Sequence, residues 1–253
     1  MARFDGRAHD GLRPVTIETG WKKQADGSVL YRAGSTVVLC VASVDEGVKD
    51  FLKGRGQGWV TAEYLMHPRA GTRRQSRDGW NGRPLSGRSQ EIARLIGRAL
   101  RAAVDLKALG ERTISLDCDV LEADGGTRTA SVTGAMVALC LCLDGLQRKG
   151  LLSGPVLRTP VAAVSAGIVK GEALLDLAYV EDSAAEIDLN LVATPDGDVV
   201  ELQCTAEDRP VPRADVDRLV ALANGGISAL AALQRETLAR AGVSLDALVM
   251  PKS

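Results

Sequence analysis

The chain has 253 residues, 45% hydrophobic and 25% charged, enough for one large or two small domains with a substantial core and ordinary for a soluble globular protein. With 31 basic against 32 acidic residues the formal net charge is −1, so no global basic signature marks a nucleic-acid binder and any such surface must be local. The five cysteines are odd in number and lack a CxxC pair, and only two histidines accompany them. This argues against zinc and a disulfide framework and for buried thiols in a reducing cytoplasm. Aromatic residues make up only 3%, so the core must be built from Val, Leu, Ile and Ala. No apolar signal core opens the chain, and no apolar run reads as membrane-spanning.

In chain order, the first dozen residues are polar and read as a mobile or partner-held arm. Residues 15–18 and 28–31 read as short strands around an Asp26-Gly27 turn, 36–44 as a buried strand, and 59–64 as a further strand. An irregular segment from His67 to Gly87 follows, of a length that is functional or disordered in a compact domain. Between Arg69 and Arg101 stand nine arginines against Asp78 and Glu91, a local charge of +7 within a near-neutral chain. Arg94, Arg98 and Arg101 fit a solvated helix face. The arginines from Arg69 to Arg83, in a glycine-rich loop without acidic partners to satisfy them, point to nucleic acid or another polyanion. Residues 89–109 predict an amphipathic helix ended by Gly110, with Ser89 as its cap and Arg88 at a possible anion-binding N-terminus.

The next stretch organises the chain. Residues 113–121 alternate, with Ile114, Leu116, Cys118 and Val120 on one side, as a half-buried strand does. Asp124-Gly125-Gly126 breaks the pattern, and from Thr129 apolar residues recur at helical spacing. A glycine turn feeding a helix N-terminus offers free N–H groups and the positive end of the helix dipole, and Gly126, Thr127 and Arg128 stand at its mouth. Phosphate binding and an ordinary capped helix with a solvated arginine both remain open from this pattern. Residues 149–160 form a Gly- and Pro-punctuated connection between halves at approximately 13–150 and 158–242. Hairpins follow over 161–168 with 172–177 and over 189–193 with 199–202. The tail from Ala214 is helical to about Arg240, interrupted at Asn224-Gly225-Gly226. Strands before helices in each half predict a duplicated α+β unit.

Glu181, Asp182, Glu186 and Asp188 lie within eight residues. Asp182 and Glu186 would share a helix face, whereas Asp182 and Asp188 converge only through an irregular segment. Such carboxylates suit Mg²⁺ ligation or general acid–base work, the plain alternative being an exposed acidic loop.

Together, Phe51-Leu-Lys-Gly-Arg-Gly-Gln-Gly-Trp59, Thr61-Ala-Glu-Tyr64, the run from Arg88 to Arg98, the run from Leu116 to Ala130 and Tyr179-Val-Glu-Asp-Ser-Ala-Ala-Glu186 resemble the bacterial ribonuclease PH family, from about Arg13 to about Leu233. The resemblance implies an α+β fold, a duplicated βαβα unit like domain 2 of ribosomal protein S5, within one domain. It implies a phosphorolytic 3′→5′ exoribonuclease that trims precursor tRNA, uses inorganic phosphate as co-substrate, releases nucleoside diphosphates and assembles as a homo-hexamer, a trimer of dimers. By the same resemblance Arg88, Gly126, Thr127 and Arg128 hold phosphate, Asp182 and Asp188 serve catalysis with Mg²⁺, and Arg69, Arg73, Arg74 and Arg77 contact tRNA. Where the family usually reads Gln-Gly-Thr-Ala-Glu-Gly, this chain has Gln203-Cys-Thr-Ala-Glu-Asp208. The competing readings are a non-catalytic RNA-binding subunit of an exosome-like ring, a small-molecule phosphate enzyme (no Walker or GxGxxG motif supports it), and a hydrolytic nuclease.

Overall fold

Residues 3–251 are described by a computed structural model. The alternating segment around Ile114 forms strand β5 (Arg112–Glu122), with Ile114, Leu116, Cys118 and Val120 turned into the core. It lies in a five-stranded sheet with β1 (Val15–Thr19), β2 (Gly27–Ala33), β3 (Thr36–Glu46) and β4 (Trp59–Met66), ordered β1-β2-β3-β5-β4. Neighbours are antiparallel except β4 and β5, which run parallel because helix α1 (Gly87–Ala103) crosses between them. After α1 come a single turn α2 (Leu106–Leu109), then β5, then α3 (Thr127–Arg148). The second sheet is wholly antiparallel, ordered β7-β6-β8-β9, from β6 (Ala162–Val169), β7 (Glu172–Leu175), β8 (Ile187–Ala193) and β9 (Val199–Ala206). Between β7 and β8 sits the one-turn helix α4 (Tyr179–Asp182); α5 (Arg213–Arg240) covers the second sheet and α6 (Leu245–Leu248) closes the fold.

Helix α3 joins the two sheets. Sixteen of its 22 residues are buried, so it is a core helix enclosed on most sides rather than an amphipathic surface helix. Met136, Leu139 and Leu143 are almost wholly enclosed, and each such side chain contributes about 1.5–3 kcal/mol. Its hydroxyls are satisfied internally. Ser131 donates to the Thr127 carbonyl at 2.8 Å, and Thr133 exchanges two bonds with Ala163 of β6. Gln234 of α5 donates to the carbonyls of Thr133 and Val161, tying the second sheet's helix to the core.

Several expectations are corrected. The arm is not loose, since Arg3 is buried against the second sheet. Gly27 begins β2 rather than ending a turn, and a Cβ there would run into the backbone of α3 at Ala138. The helix predicted over 89–109 breaks after Ala103, where Asp105 caps a separate turn, and its N-cap is Ser86 rather than Ser89. Arg98 and Arg101 are not merely solvated: Arg98 forks onto Glu201, and Arg101 stacks 4.4 Å from the Trp59 ring centre and donates to the Val60 carbonyl. Helix α5 runs unbroken through Asn224-Gly225-Gly226. Glycine is favoured at Gly226 because the helix passes so close that a Cβ would sit 3.0 Å from the Leu175 side chain. Four cysteines are buried but Cys204 is exposed. By length and composition α3 and α5 could each cross a membrane, with mean hydropathy 1.6 and 1.3; in α3 the apolar residues are inside the protein.

Candidate active site

Strand β5 delivers the chain to the glycine turn, and Thr36 of β3 pins that turn. Its hydroxyl accepts from the Asp124 N–H at 3.0 Å and donates to the Gly125 carbonyl at 2.7 Å. Gly125 and Gly126 both take left-handed angles (φ 75° and 62°), which reverse the chain into α3 at Thr127. No side chain caps that first turn, so its N–H groups and the positive end of a 22-residue helix are left for a ligand. The Thr127 hydroxyl bonds Tyr64 at 2.8 Å, which fixes the turn laterally against β4.

Around this N-terminus opens a cavity of about 500 Å³. Its wall brings together Gly126, Thr127 and Arg128 of the turn, Arg88 of α1, Asp182 at the end of α4 and Asp188 on β8. Asp182 and Asp188 converge across the irregular segment 183–186, as the sequence required. Glu186 does not share a face with Asp182; its carboxylate instead accepts the Gly171 N–H at the β6–β7 turn. The α1 N-terminus itself is not a second anion site, because Asp78 already accepts from Ser86 and Ser89 there. Arg88 contributes through its guanidinium, which has no hydrogen bond or ion pair among the described residues. Arg73 also reaches the wall, whereas Arg69, Arg74 and Arg77 lie outside it, exposed along the 67–87 loop.

The two carboxylates are held in a state that favours cations. Burial pushes the Asp182 carboxyl above its ordinary value, against the pull of Arg88 and Arg128. Asp188 is raised by burial and then by the Asp182 charge, while Arg128 and the Asn190 amide, 3.3 Å from both its oxygens, oppose this. Two half-buried carboxylates facing one cavity, both raised by burial and Asp188 also by the Asp182 charge, suit Mg²⁺, which takes one or two carboxylates and keeps waters or phosphate oxygens for the rest. Among the described residues no larger group of His, Cys, Asp and Glu is arranged to hold a metal by itself.

The model of domain 1 of the 3′ exoribonuclease family, RNase PH, matches residues 11–143, and that of its domain 2 matches 159–226. The chain belongs to the 3′ exoribonuclease family. Among solved structures, rice (Oryza sativa) Rrp46 is 18% identical, with a TM-score of 0.76 over 93% of this chain and 100% of that one. The Archaeoglobus fulgidus exosome with RNA bound to its active site is 24% identical, with a TM-score of 0.71 over 91% of each chain. An archaeal exosome core is 22% identical, with a TM-score of 0.69 over 93% of this chain and 90% of that one. These likenesses establish the RNase PH-like α+β fold.

Within this family fold, other residues complete the site that sequence reasoning did not single out. Arg128 donates to the Gln203 side-chain oxygen at 2.5 Å, and the Gln203 amide donates to Glu91 at 2.9 Å and Glu201 at 3.4 Å. Glu201 in turn holds Arg98. Arg128 is thus aimed by a chain of side chains from β9 and α1. The replacement of a glycine by Cys204 falls beside this chain rather than in it. Gln203 and Glu91 both lie in motifs visible in the sequence, but nothing in their spacing says that they meet.

Proposed function

We propose that the protein is a phosphate-dependent 3′→5′ exoribonuclease that trims 3′ extensions of precursor tRNA and related structured RNA and releases nucleoside 5′-diphosphates. The observation that carries this reading is the single cavity shared by an uncapped helix N-terminus, Arg88 and Arg128 with Arg73 at its wall, and two raised carboxylates. No Ser–His or Cys–His pair lines it, and none is needed when the nucleophile is phosphate itself. Arg88, Arg128 and the Gly126–Arg128 amides hold the dianion beside the last phosphodiester, converting a bimolecular attack into a positioned one. A phosphate oxygen forms the new P–O bond as the bond to the 3′-oxygen breaks. Asp182, whose carboxyl burial raises above its ordinary value, is the acid that delivers the proton leaving a 3′-hydroxyl on the shortened RNA. A Mg²⁺ ion held by Asp182 and Asp188 would supply positive charge for the oxygens of the transferring phosphoryl group.

The exposed loop of Arg69, Arg73, Arg74 and Arg77 grips the body of the RNA through its phosphates. The chain works in the cytoplasm as a homo-hexamer, a trimer of dimers, with the basic loops of its copies lining one face. The test is a phosphate titration of Arg88→Ala and Arg128→Ala with labelled RNA. Phosphate KM rises at least tenfold in each while RNA affinity stays within about twofold. Unchanged phosphate dependence in both variants removes the assignment. Wild-type protein that binds RNA and releases nothing moves the chain to a non-catalytic ring subunit.

A further inference from the structure

The glycine turn and the acid turn touch through their backbones. A Cβ on Gly125 would lie 2.6 Å from the Leu177 carbonyl oxygen and 2.8 Å from the Tyr179 nitrogen, and the Tyr179 N–H reaches the Asp124 carboxylate at 3.3 Å. Their relative position therefore sets the distance between bound phosphate and Asp182. Two buried arginines from the amino-terminal arm hold that position. Arg3 forks onto Glu181, the residue before Asp182, with Nε to Oε1 at 2.8 Å and Nη2 to Oε2 at 2.6 Å, and the Arg3 side chain is 1% exposed. Its remaining N–H groups go to the carbonyls of Leu175 (2.8 Å) and Asp176 (3.1 Å), and more weakly to those of Ala8 and Gly11. Glu181 also accepts the Ala178 N–H, so both ends of the one-turn helix α4 are fixed by one carboxylate.

Arg13 does the same for the other turn. Its backbone N–H and Nε bond Asp176 Oδ2 at 2.7 and 3.1 Å, Nη2 bonds Oδ1 at 2.7 Å, and Nη1 bonds the Asp124 carbonyl at 2.6 Å. Asp176 sits at φ 53°, a left-handed angle unusual for a non-glycine residue and held by these bonds. This much rigid hydrogen bonding is more than anchoring an arm requires, and it ends on the two segments that bear the reacting groups.

We propose that Arg3 and Arg13 are positioning residues of the active site. Arg3 sets Asp182 through Glu181, and Arg13 sets the phosphate-binding glycine turn through Asp176 and the Asp124 carbonyl. The inference rests on the phosphorolytic reading above and assigns the amino-terminal arm to that site.

Arg3→Lys and Arg13→Lys keep the charge and lose the fork, and Gln234→Ala, which loosens the core at a side chain that does not line the cavity, controls for stability alone. All are assayed in the full chain, well below the lowest melting temperature. Arg3→Lys lowers kcat roughly tenfold with phosphate KM within about twofold, whereas Arg13→Lys raises phosphate KM roughly tenfold. Gln234→Ala melts earlier with both constants unchanged. Amide hydrogen exchange quickens at 177–183 in Arg3→Lys and at 123–126 in Arg13→Lys, but not in Gln234→Ala. Should Arg3→Lys fail to fold, Arg3→Gln with Glu181→Gln removes the buried charges together and is read in the same way. Wild-type kinetic constants and wild-type exchange in both arginine variants overturn the proposal. A wild type that releases no diphosphate overturns the functional reading instead, and the exchange data then decide the brace alone.

Discussion

Gly125→Ala perturbs the contact on which the site depends. At φ 75° any side chain is strained, at roughly 1–2 kcal/mol. The added Cβ would also meet three backbone atoms of 177–179, the nearest at 2.6 Å where ordinary contact begins at 3.4 Å. Neither segment can yield by rotating a side chain, so the turns must separate by about 0.8 Å, the difference between those two distances. A displacement of about 1 Å in a reacting pair costs roughly 100-fold, or about 2.7 kcal/mol of barrier. The expectation is therefore a loss of about two orders of magnitude in phosphorolysis, with a fall in melting temperature of only about 2–8 °C. The assay is diphosphate release at 25 °C across a phosphate titration, beside Gly154→Ala, whose Cβ would meet nothing within 4 Å. Gly154→Ala retains full activity. A Gly125→Ala protein within about twofold of wild type would show that the two turns need no fixed separation.

Asp176 tests the brace by pH. Burial alone would raise its carboxyl, but bonds from Arg13 and the Arg13 and Arg7 charges win and hold it below the ordinary value. A folded-state value below the unfolded one means the carboxylate stabilises the fold above about pH 4 and that stability is lost as pH falls through the lower, folded value. Asp176→Asn is therefore less stable at pH 7 by about 3 kcal/mol, and its stability falls less steeply on acidification than the wild type's, as thermal melts from pH 7 to pH 2 would show. Asp188→Asn removes a carboxylate that burial and Asp182 both disfavour, so diphosphate release is lost while the melting temperature at pH 7 rises; a lower melting temperature would contradict the electrostatics. The triple variant Arg69→Ala, Arg74→Ala, Arg77→Ala reduces the salt slope of RNA binding by about 2 and leaves kcat on short oligonucleotides unchanged. An unchanged slope would take the loop off the RNA path.

Local signals carried most of this site. The alternation ending at Val120, the two glycines and the helix from Thr127 act within one short stretch, where strand period, turn angle and dipole can be read residue by residue. Asp182 and Asp188 were legible because they stand only six positions apart, joined by the short irregular segment 183–186. What was not legible depends on distance along the chain. Arg3 meets Glu181 across 178 positions and Gln203 meets Glu91 across 112, and no periodicity records such pairs. The unbroken α5 was misread for a related reason. Gly225-Gly226 looks like a break locally, but close packing on Leu175 and Val164 favours glycine inside the helix. The arm looked loose because its residues are polar, and only the fold shows that their partners are buried.

The central claim is that phosphate, not water, cuts the RNA. The measurement is product identity from tRNA with a short labelled 3′ extension, incubated with Mg²⁺ and wild-type protein, with and without inorganic phosphate. The account predicts nucleoside diphosphates, released only when phosphate is present. Nucleoside monophosphates released without phosphate would contradict it and make the protein a hydrolase.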